Sequence, residues 1–465
     1  MLSSKHLLRV LIGMTLIGVL AAGCGDPPPP SSNQDNNQNN QANATNNAND
    51  NDGNNDEGAG PIEDPDDDCE AAVDRNVAFD IPAPDDAEAV GVPDLTRVGD
   101  ELWLAFLAVV EMDGEEFEKA YLVRLDCGGE AIDDPEPLGT ADATMEGPPS
   151  LGTDGSVVYA TWIEVLEVDD GGETVEVPVS WLQPFETDGT PMVGEPLQVQ
   201  VDIDGEDDPL TYVEATDVAV NHDSHAVVVG QQVEDMESRA WLQRIDEQGE
   251  ADGPGFYLEP DATESQFVPA VSIRDDNFIL FAFLEESGWG EGEARHGTVH
   301  PGGYEPDEGP TAAEADLGGE GAASTSVDIS KSAAGGNVWM TYTRGLGTNN
   351  TVRVRSGNEV GVVETEGAQV DGRQSSSPVV AASDTGGAVA WFSTDGETGE
   401  VHFRRIEGAA AAITDAGPVI DLGEDSPATG GPDLVWITDH IYAVVWPEGD
   451  EFAGQTIDFE RLEDG

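Results

Sequence analysis

Three short signals recur in a fixed order from residue 76 to the end of the chain. Each unit opens with an apolar run, such as VPDLTRV at residue 92 or GPDLVWI at residue 431, and a polar turn follows. A strongly apolar run such as LWLAFLA comes next, and an alternating run such as KAYLVRL at residue 119 ends the unit. The alternating runs start 50 to 60 residues apart, which gives seven units. A repeat of this length restricts the chain to folds built from stacked or radially arranged units.

The composition of the runs predicts the structure of each unit. They are rich in β-branched and aromatic residues, and clusters of Gly, Asp and Pro separate them, so we expect strands joined by turns. No helical period of any length lies between them. Seven small antiparallel sheets at regular spacing predict an all-β fold, a seven-bladed β-propeller. Six or eight blades, or an array of β-sandwiches, are the alternatives.

The two ends of the repeat predict how the ring closes. The last unit ends at TIDFERLEDG and leaves no residues for a fourth strand. The first unit is preceded by an additional strand, NVAFDIPAP, at residues 76–84. We expect this strand to form the outer edge of the seventh blade, so that both ends of the repeat share one sheet.

The second runs carry large aromatic residues at corresponding places. We expect them to be buried between blades rather than to form a ligand platform, since each removes about 150–250 Å² from water. The third unit is the exception, because its second run ends in GQQ. The aromatic positions are Trp103, Phe106, Trp162, Phe283, Tyr342, Trp391 and Trp446.

The N-terminus has the three parts of a signal peptide. Positive residues come first, an apolar run at residues 10–20 follows, and the small residues 21–23 precede Cys24. The apolar run is short for a membrane span, which needs about 20 residues. This pattern resembles the lipobox of bacterial lipoproteins, although Ala21 stands where that family prefers Leu. The resemblance implies acylation of Cys24 and anchoring by its lipid chains. In that family, Asp directly after the cysteine favours retention in the inner membrane. Gly25 occupies that position here, so the resemblance implies the outer membrane of the cell envelope and allows exposure at the cell surface.

The chain after Cys24 is predicted to be a tether. Four prolines favour a stiff polyproline segment, and the following Asn-, Asp- and Gln-rich stretch has almost nothing to bury. We therefore divide the chain into a signal peptide at 1–23, a lipid-anchored disordered stalk at 24–68 and a propeller domain at 69–465.

Two cysteines remain besides the lipobox residue. Export of a lipoprotein passes through an oxidising compartment, so the resemblance implies a disulfide between Cys69 and Cys127. Cys69 precedes the additional first strand, and Cys127 ends the third strand of the first unit. A bridge between them would fix the closure of the ring, and two unpaired thiols are the alternative.

The charge of the chain is strongly negative. It has 95 acidic and 18 basic side chains, a net charge of −77, and lysine only at Lys5, Lys119 and Lys331. Such a chain repels itself at low ionic strength, and salt screens the repulsion. We interpret the composition as adaptation to saline surroundings. It argues against nucleic acid as a partner, because phosphate binding needs clustered Lys and Arg.

One acidic loop in the repeat region is a candidate calcium site. The stretch VDIDGEDD at 201–208 offers hard oxygen ligands around a glycine, although it lacks the spaced closing Glu of the twelve-residue calcium loop. Calcium is therefore the one candidate cofactor, and an acidic loop without a ligand is the alternative. Its candidate ligands are Asp202, Asp204, Glu206, Asp207 and Asp208.

Histidines give weaker candidates for a metal site. His222, Asp223 and His225 share a turn in the third unit and offer two imidazoles and a carboxylate. A turn does not fix their geometry as a helix would, so solvated turn residues are the simpler interpretation. His296 and His300 would lie on one face of a strand.

A propeller also suggests a glycosidase. Sialidases carry S-x-D-x-G-x-T-W boxes and an arginine cluster, but SDTGGAVAW at 383–391 matches the box only loosely. The third runs carry arginines that we expect to pair with surplus carboxylates away from the axis, namely Arg353, Arg355, Arg404 and Arg405. Glycosidases need two positioned carboxylates, and nothing in the sequence selects two of them as catalytic.

These observations favour a non-catalytic binding or scaffolding module on the cell envelope, with the membrane and an unknown protein or glycan as partners. The alternatives are a carbohydrate-active enzyme on the same fold and an envelope assembly factor. Fold alone does not name the ligand.

Overall fold

The computed structural model describes most residues between 78 and 458; the longest internal gaps are 200–211, 289–295, 312–323 and 357–373. The described residues form seven antiparallel sheets, one for each unit of the repeat, and contain no helix. We call these sheets blades one to seven. No helix in this described part is long and apolar enough to cross a membrane.

The first two blades contain the longest strands. Blade one consists of β1 (Ala87–Val98), β2 (Glu101–Met112), β3 (Glu115–Asp126) and β4 (Glu136–Pro137). Blade two consists of β5 (Thr144–Met145), β6 (Ser150–Thr153), β7 (Val157–Asp170), β8 (Glu173–Glu186) and β9 (Leu197–Gln198). Blade three consists of β10 (Tyr212–Val220), β11 (Ala226–Glu234), β12 (Glu237–Ile245) and β13 (Phe256–Tyr257).

The remaining blades have the same order. Blade four consists of β14 (Gln266–Ile273), β15 (Ile279–Gly288), β16 (His296–Glu305) and β17 (Gly309–Thr311). Blade five consists of β18 (Val327–Ile329), β19 (Trp339–Arg344) and β20 (Thr351–Ser356). Blade six consists of β21 (Gln374–Ser383), β22 (Gly386–Thr394), β23 (Gly399–Ala409), β24 (Ala412–Ala416) and β25 (Ile420–Leu422). Blade seven consists of β26 (Asp433–Thr438), β27 (Ile441–Glu448) and β28 (Glu451–Asp458).

The first long strands of the blades contact one another in a closed cycle. The order is β1, β6, β10, β14, β18, β21, β26 and back to β1. We call these the inner strands, because they surround the axis of the ring. A closed cycle excludes an array of sandwiches. The predicted all-β propeller class is confirmed, and the described strands form seven sheets.

The core is divided among the blade interfaces. Seven clusters of buried hydrophobic residues each join two neighbouring blades, and one of them joins blade seven to blade one. The aromatic positions predicted from the second runs are all buried, at 0 to 3% exposure. Burial of a side chain of this size stabilises the fold by about 2–3 kcal/mol, so the interfaces hold the ring together.

Blade three explains the one missing aromatic residue. Gly230 stands where the second strands of the other blades carry an aromatic side chain, and it pairs with Trp241 on β12. A Cβ at Gly230 would lie 2.3 Å from Cζ2 of Trp241, so the indole occupies the space that the glycine leaves. Trp241 is fully buried in the cluster between blades two and three. The third strand thus supplies the aromatic group in this blade.

The predicted closure by the N-terminal strand is confirmed. Ala78 and Ile81 pair with Gln455 and Phe452 of β28, and the Phe79 N–H donates to the Gly454 carbonyl over 2.9 Å. The buried Phe79 ring lies between two glycines, since a Cβ at Gly454 would meet it at 2.3 Å and one at Gly129 of blade one at 1.9 Å. We call the junction of blades seven and one the seam.

Candidate functional site at the axis of the ring

Four of the seven inner strands carry an aspartate at one corresponding position. Asp94, Asp217, Asp328 and Asp433 occupy it in blades one, three, five and seven, opposite Ala105, Val229, Thr341 and Val445 of the second strands. In blades two, four and six it holds Ser150, Ala270 and Val379. We call the four aspartates, Ser150 and Lys331 the axial cluster.

Each aspartate of the axial cluster accepts a backbone N–H of the next blade. Asp94 Oδ1 accepts from Leu151 over 3.2 Å, and Asp217 Oδ2 accepts from Val271 over 2.9 Å. Asp328 Oδ2 accepts from Val380 over 2.9 Å. An inner strand is a sheet edge, and its outward N–H groups would otherwise lack partners. The carboxylates therefore join blades around the axis.

A hydrogen bond of the same kind, from a backbone N–H to an axial aspartate, closes the ring at the seam. Asp433 Oδ2 accepts the Leu95 N–H of blade one, so the aspartate of the last blade holds the first. Nearby, the Arg97 guanidinium of blade one donates to the Ile437 carbonyl of blade seven. Side chains from both blades thus hold the inner side of the seam, whereas Phe79 packs at its outer side.

Lys331 crosses the axis. It follows β18 of blade five, yet its Nζ donates to Asp94 of blade one. It also donates to Ser150 Oγ over 2.9 Å and to the Leu151 carbonyl over 2.8 Å, both in blade two, and lies 3.5 Å from Asp217 Oδ1 in blade three. In a ring of seven, blades one and two lie opposite blade five. One ammonium group therefore connects opposite sides of the ring.

The charges of the axial cluster shift one another's pKa values. Burial raises the pKa of Asp328 well above its usual range, and the charges of Asp217 and Asp433 add to this effect. Burial, together with the charge of Asp94, raises the pKa of Asp433 to about 7. The pKa of Asp94 is also raised by burial, although the charge of Lys331 opposes the shift. The Asp433 carboxyl is therefore partly protonated near neutral pH.

Lys331 is the positively charged member of the axial cluster. Burial alone would lower its pKa, but the charges of Asp94, Asp217 and Asp433 outweigh that effect and the pKa is raised. The side chains of Lys331, Asp94 and Asp217 keep 23, 15 and 12% of their surface exposed, so some solvent reaches them. Breaking such a partly buried pair leaves an uncompensated charge, which is costly.

The predicted metal candidates are not supported in the described residues. In that part of the chain no group of three or more His, Cys, Asp or Glu side chains could hold a metal ion. The His222 Nε2 lies 3.3 Å from its neighbour Asp223 Oδ1, and no metal-binding group forms around this turn. The calcium candidates Asp202, Asp204, Glu206 and Asp208 lie outside the described residues, so calcium binding stays a prediction.

Of the three cysteines, only Cys127 lies in the described part of the chain. Cys24 and Cys69 lie outside the described residues. Cys127 is buried after β3, beside the seam, and it is disulfide-bonded. The pairing of Cys127 with Cys69 stays a prediction.

The remaining polar candidates lie on outer parts of the blades. The four arginines are on the third strands β20 and β23, as predicted. His300 on β16 stacks on Phe283 with ring centroids 5.6 Å apart, and its Nε2 lies 3.0 Å from Glu285 Oε2. Its Nδ1 lies 3.9 Å from Glu259 Oε1 of the preceding unit. This histidine packs within the interface between blades three and four.

The axial cluster was not predicted from the sequence. The signal was nevertheless present, because VPDL, TDVA, VDIS and GPDL place aspartate at one position of the first run in alternate units. No comparable signal marks Lys331. It sits in a turn after a three-residue strand, and only the ring brings it to the opposite blades.

Comparisons with known proteins show no family for this chain. No protein-family model matches, and no curated protein matches. A protein of unknown function from Dyadobacter fermentans is 14% identical, with 83% of this chain and 98% of that one covered and a TM-score of 0.47. The α-L-arabinofuranosidase Arb93A from Fusarium graminearum is 12% identical, with 84% and 99% covered and a TM-score of 0.45. An ulvan lyase of polysaccharide lyase family PL25 is 10% identical, with 83% and 96% covered and a TM-score of 0.49. These values concern the arrangement of strands and assign no activity.

Proposed function

We propose that this chain is a lipid-anchored β-propeller of the cell envelope that acts as a non-catalytic binding or scaffolding module. The observation that carries the proposal is the use of the axial carboxylates. Propeller enzymes with a site on the axis need carboxylates that are free to act on a substrate. Here the four axial aspartates accept backbone N–H groups of the next blade, and Lys331 lies between them.

The position of Lys331 supports a closed axis. Its ammonium donates to two side chains and one carbonyl on the far side of the ring. A substrate entering along the axis would have to displace these bonds. Ligand contacts are therefore expected on the outer loops or rims of the blades, where a protein or glycan partner would dock.

The envelope location rests on the N-terminal sequence. The lipobox-like residues 21–24 and the proline- and asparagine-rich segment after them support an acylated anchor followed by a long tether. The test is growth with an alkyne-labelled fatty acid and comparison of the natural chain with Cys24→Ala. We expect label and membrane association only in the natural chain. Protease treatment of intact cells then decides between surface display and a periplasm-facing role.

A catalytic test separates this proposal from the enzyme alternative. The observation that favours an enzyme is the pKa of about 7 for Asp433 among the axial carboxyls, which suits a general acid. We expect no turnover of aryl arabinofuranosides, aryl sialosides or soluble acidic polysaccharides. Turnover that Asp433→Asn abolishes while the melting temperature is unchanged would replace the proposal by a carbohydrate-active enzyme.

A further inference from the structure

The number of blades places two aspartates side by side at one junction only. Around the ring the axial position alternates between aspartate and a non-acidic residue. Because seven is odd, the alternation fails once, where blade seven meets blade one. Asp433 and Asp94 are therefore neighbours at the seam, whereas the other neighbouring blades have at most one aspartate between them.

This junction is also where the chain closes on itself. Asp433 accepts the Leu95 N–H, and Leu95 directly follows Asp94 on β1. Lys331 donates to Asp94, and its hydrogen bonds among the described residues do not include one to Asp433. One ammonium group thus faces two carboxyl groups at the seam and is held by one of them.

We propose that the seam is a pH-sensitive joint, at which one proton on the Asp433 and Asp94 pair tightens the closure of the ring and its loss loosens it. With the proton present, one of the two carboxyls is neutral and the Leu95 N–H keeps its acceptor. Without it, two carboxylates face each other across the inner seam, partly compensated by Lys331. The inference goes beyond the proposed function and holds whether or not a ligand binds elsewhere.

The surroundings of Asp433 leave few other groups to titrate. β1 brings Glu88, Asp94 and Arg97, and the last of these donates to the Ile437 carbonyl. Blade five brings Asp328 and Lys331, whose charges act on the same group of carboxyls. β27 contributes Tyr442 and Glu448, and β21 and β22, which pack on β26, carry no ionisable side chain.

The sign of the pH effect follows from the raised pKa. Asp433 has a pKa of about 7 in the closed seam, whereas the ordinary value for an exposed aspartate is 3.8. The closed form therefore holds the proton over this interval, and its stability decreases as the pH rises through about 7. From pH 6 to pH 8 the equilibrium constant for opening the seam is expected to rise about tenfold.

Hydrogen exchange of the full chain tests this directly. Exchange of the segments Ala87–Val98 and Asp433–Thr438 is measured at pH 6 and pH 8, each rate divided by that of an unstructured amide at the same pH. The strands β11 and β15, far from the seam, serve as internal reference. We expect the equilibrium constant for opening, obtained from these corrected rates, to rise about tenfold at the seam and to stay unchanged in the reference strands.

Two variants complete the experiment. Asp433→Asn keeps a carbonyl acceptor for Leu95 and should remove the pH dependence. Asp134→Asn, at an exposed residue between β3 and β4, should leave it as in the natural chain. Equal changes at the seam and in the reference strands would overturn the proposal, as would a full tenfold rise in Asp433→Asn. If a variant does not fold, the comparison of the seam segments with β11 and β15 in the natural chain still tests the proposal.

Discussion

Lys331 Nζ of blade five donates to Asp94 of blade one, on the opposite side of the ring. The chain has only three lysines, and Lys5 lies outside the described residues. The other two are withdrawn from solvent, since Lys119 is 4% exposed and the Lys331 side chain 23%. Within the described residues neither of these lysines lies freely on the surface, which fits the excess of acidic over basic side chains in the chain.

The raised pKa of Asp328 makes a prediction about stability and pH. A carboxyl whose pKa is higher in the folded state stabilises the fold below its ordinary pKa, and this contribution is lost as the pH rises through the folded value. Asp328→Asn keeps an acceptor for the Val380 N–H and removes the charge. We expect the variant to be more stable than the natural chain at pH 8 and similar to it at pH 4.

Urea unfolding at the two pH values measures this difference. Asp134→Asn is a suitable control, because Asp134 lies exposed between β3 and β4. If Asp328→Asn were less stable than the natural chain at pH 8, the negative charge of Asp328 would be required at the axis, which would contradict this prediction.

The contact of Gly230 with Trp241 predicts the cost of adding one methyl group. Gly230→Ala would place its Cβ 2.3 Å from the indole, which must then shift within a filled interface. Overpacking of this kind costs about 1–3 kcal/mol. Gly91→Ala is the matched control, since a Cβ at that strand glycine meets nothing within 4 Å. Equal free energies of unfolding for the two variants would contradict the packing described for blade three.

Phe79 makes a prediction about the outer side of the seam. Its ring packs between Gly129 and Gly454, so Phe79→Ala leaves a cavity between the first and last blades. Truncation of a buried phenylalanine costs about 3–5 kcal/mol. Val92→Ala, at a residue that is 51% exposed, should change stability little. Limited proteolysis should also cut the N-terminal strand of the Phe79 variant faster, and an unchanged cleavage rate would argue against closure by this strand.

The net charge of −77 predicts dependence on salt. The screening length falls from about 10 Å at 0.1 M salt to about 3 Å at 1 M, which weakens repulsion among surface carboxylates. We expect the melting temperature to rise by several degrees from 0.1 M to 2 M NaCl. Sucrose at matched osmolality separates screening from exclusion of solute and should have a smaller effect. A melting temperature that does not change with NaCl would refute the salt-adaptation hypothesis.

Repeat reasoning predicted the fold well because each strand is marked locally. The apolar runs give the inner and second strands, and the missing fourth strand of the last unit predicts closure by residues 76–84. The chemistry of the axis was harder to predict, because it depends on contacts between blades that are far apart in sequence. Lys331 and Asp94 are separated by 237 positions, and no local pattern links them. Gly230 has no strand signal of its own, and only its contact with Trp241 explains its place in β11.

The account depends most on Lys331 acting as a structural tie across the axis, and a double-mutant cycle of urea unfolding at pH 7 tests that claim directly. The four proteins are the natural chain, Lys331→Met, Asp94→Asn and the double variant. We expect Lys331→Met to lose about 3 kcal/mol, because it leaves buried carboxylates uncompensated. The double variant should lose at least about 1 kcal/mol less than the sum of the single losses. Losses that add to within about 0.3 kcal/mol would mean that the two residues do not interact, and would contradict the closed axis on which the proposed function rests.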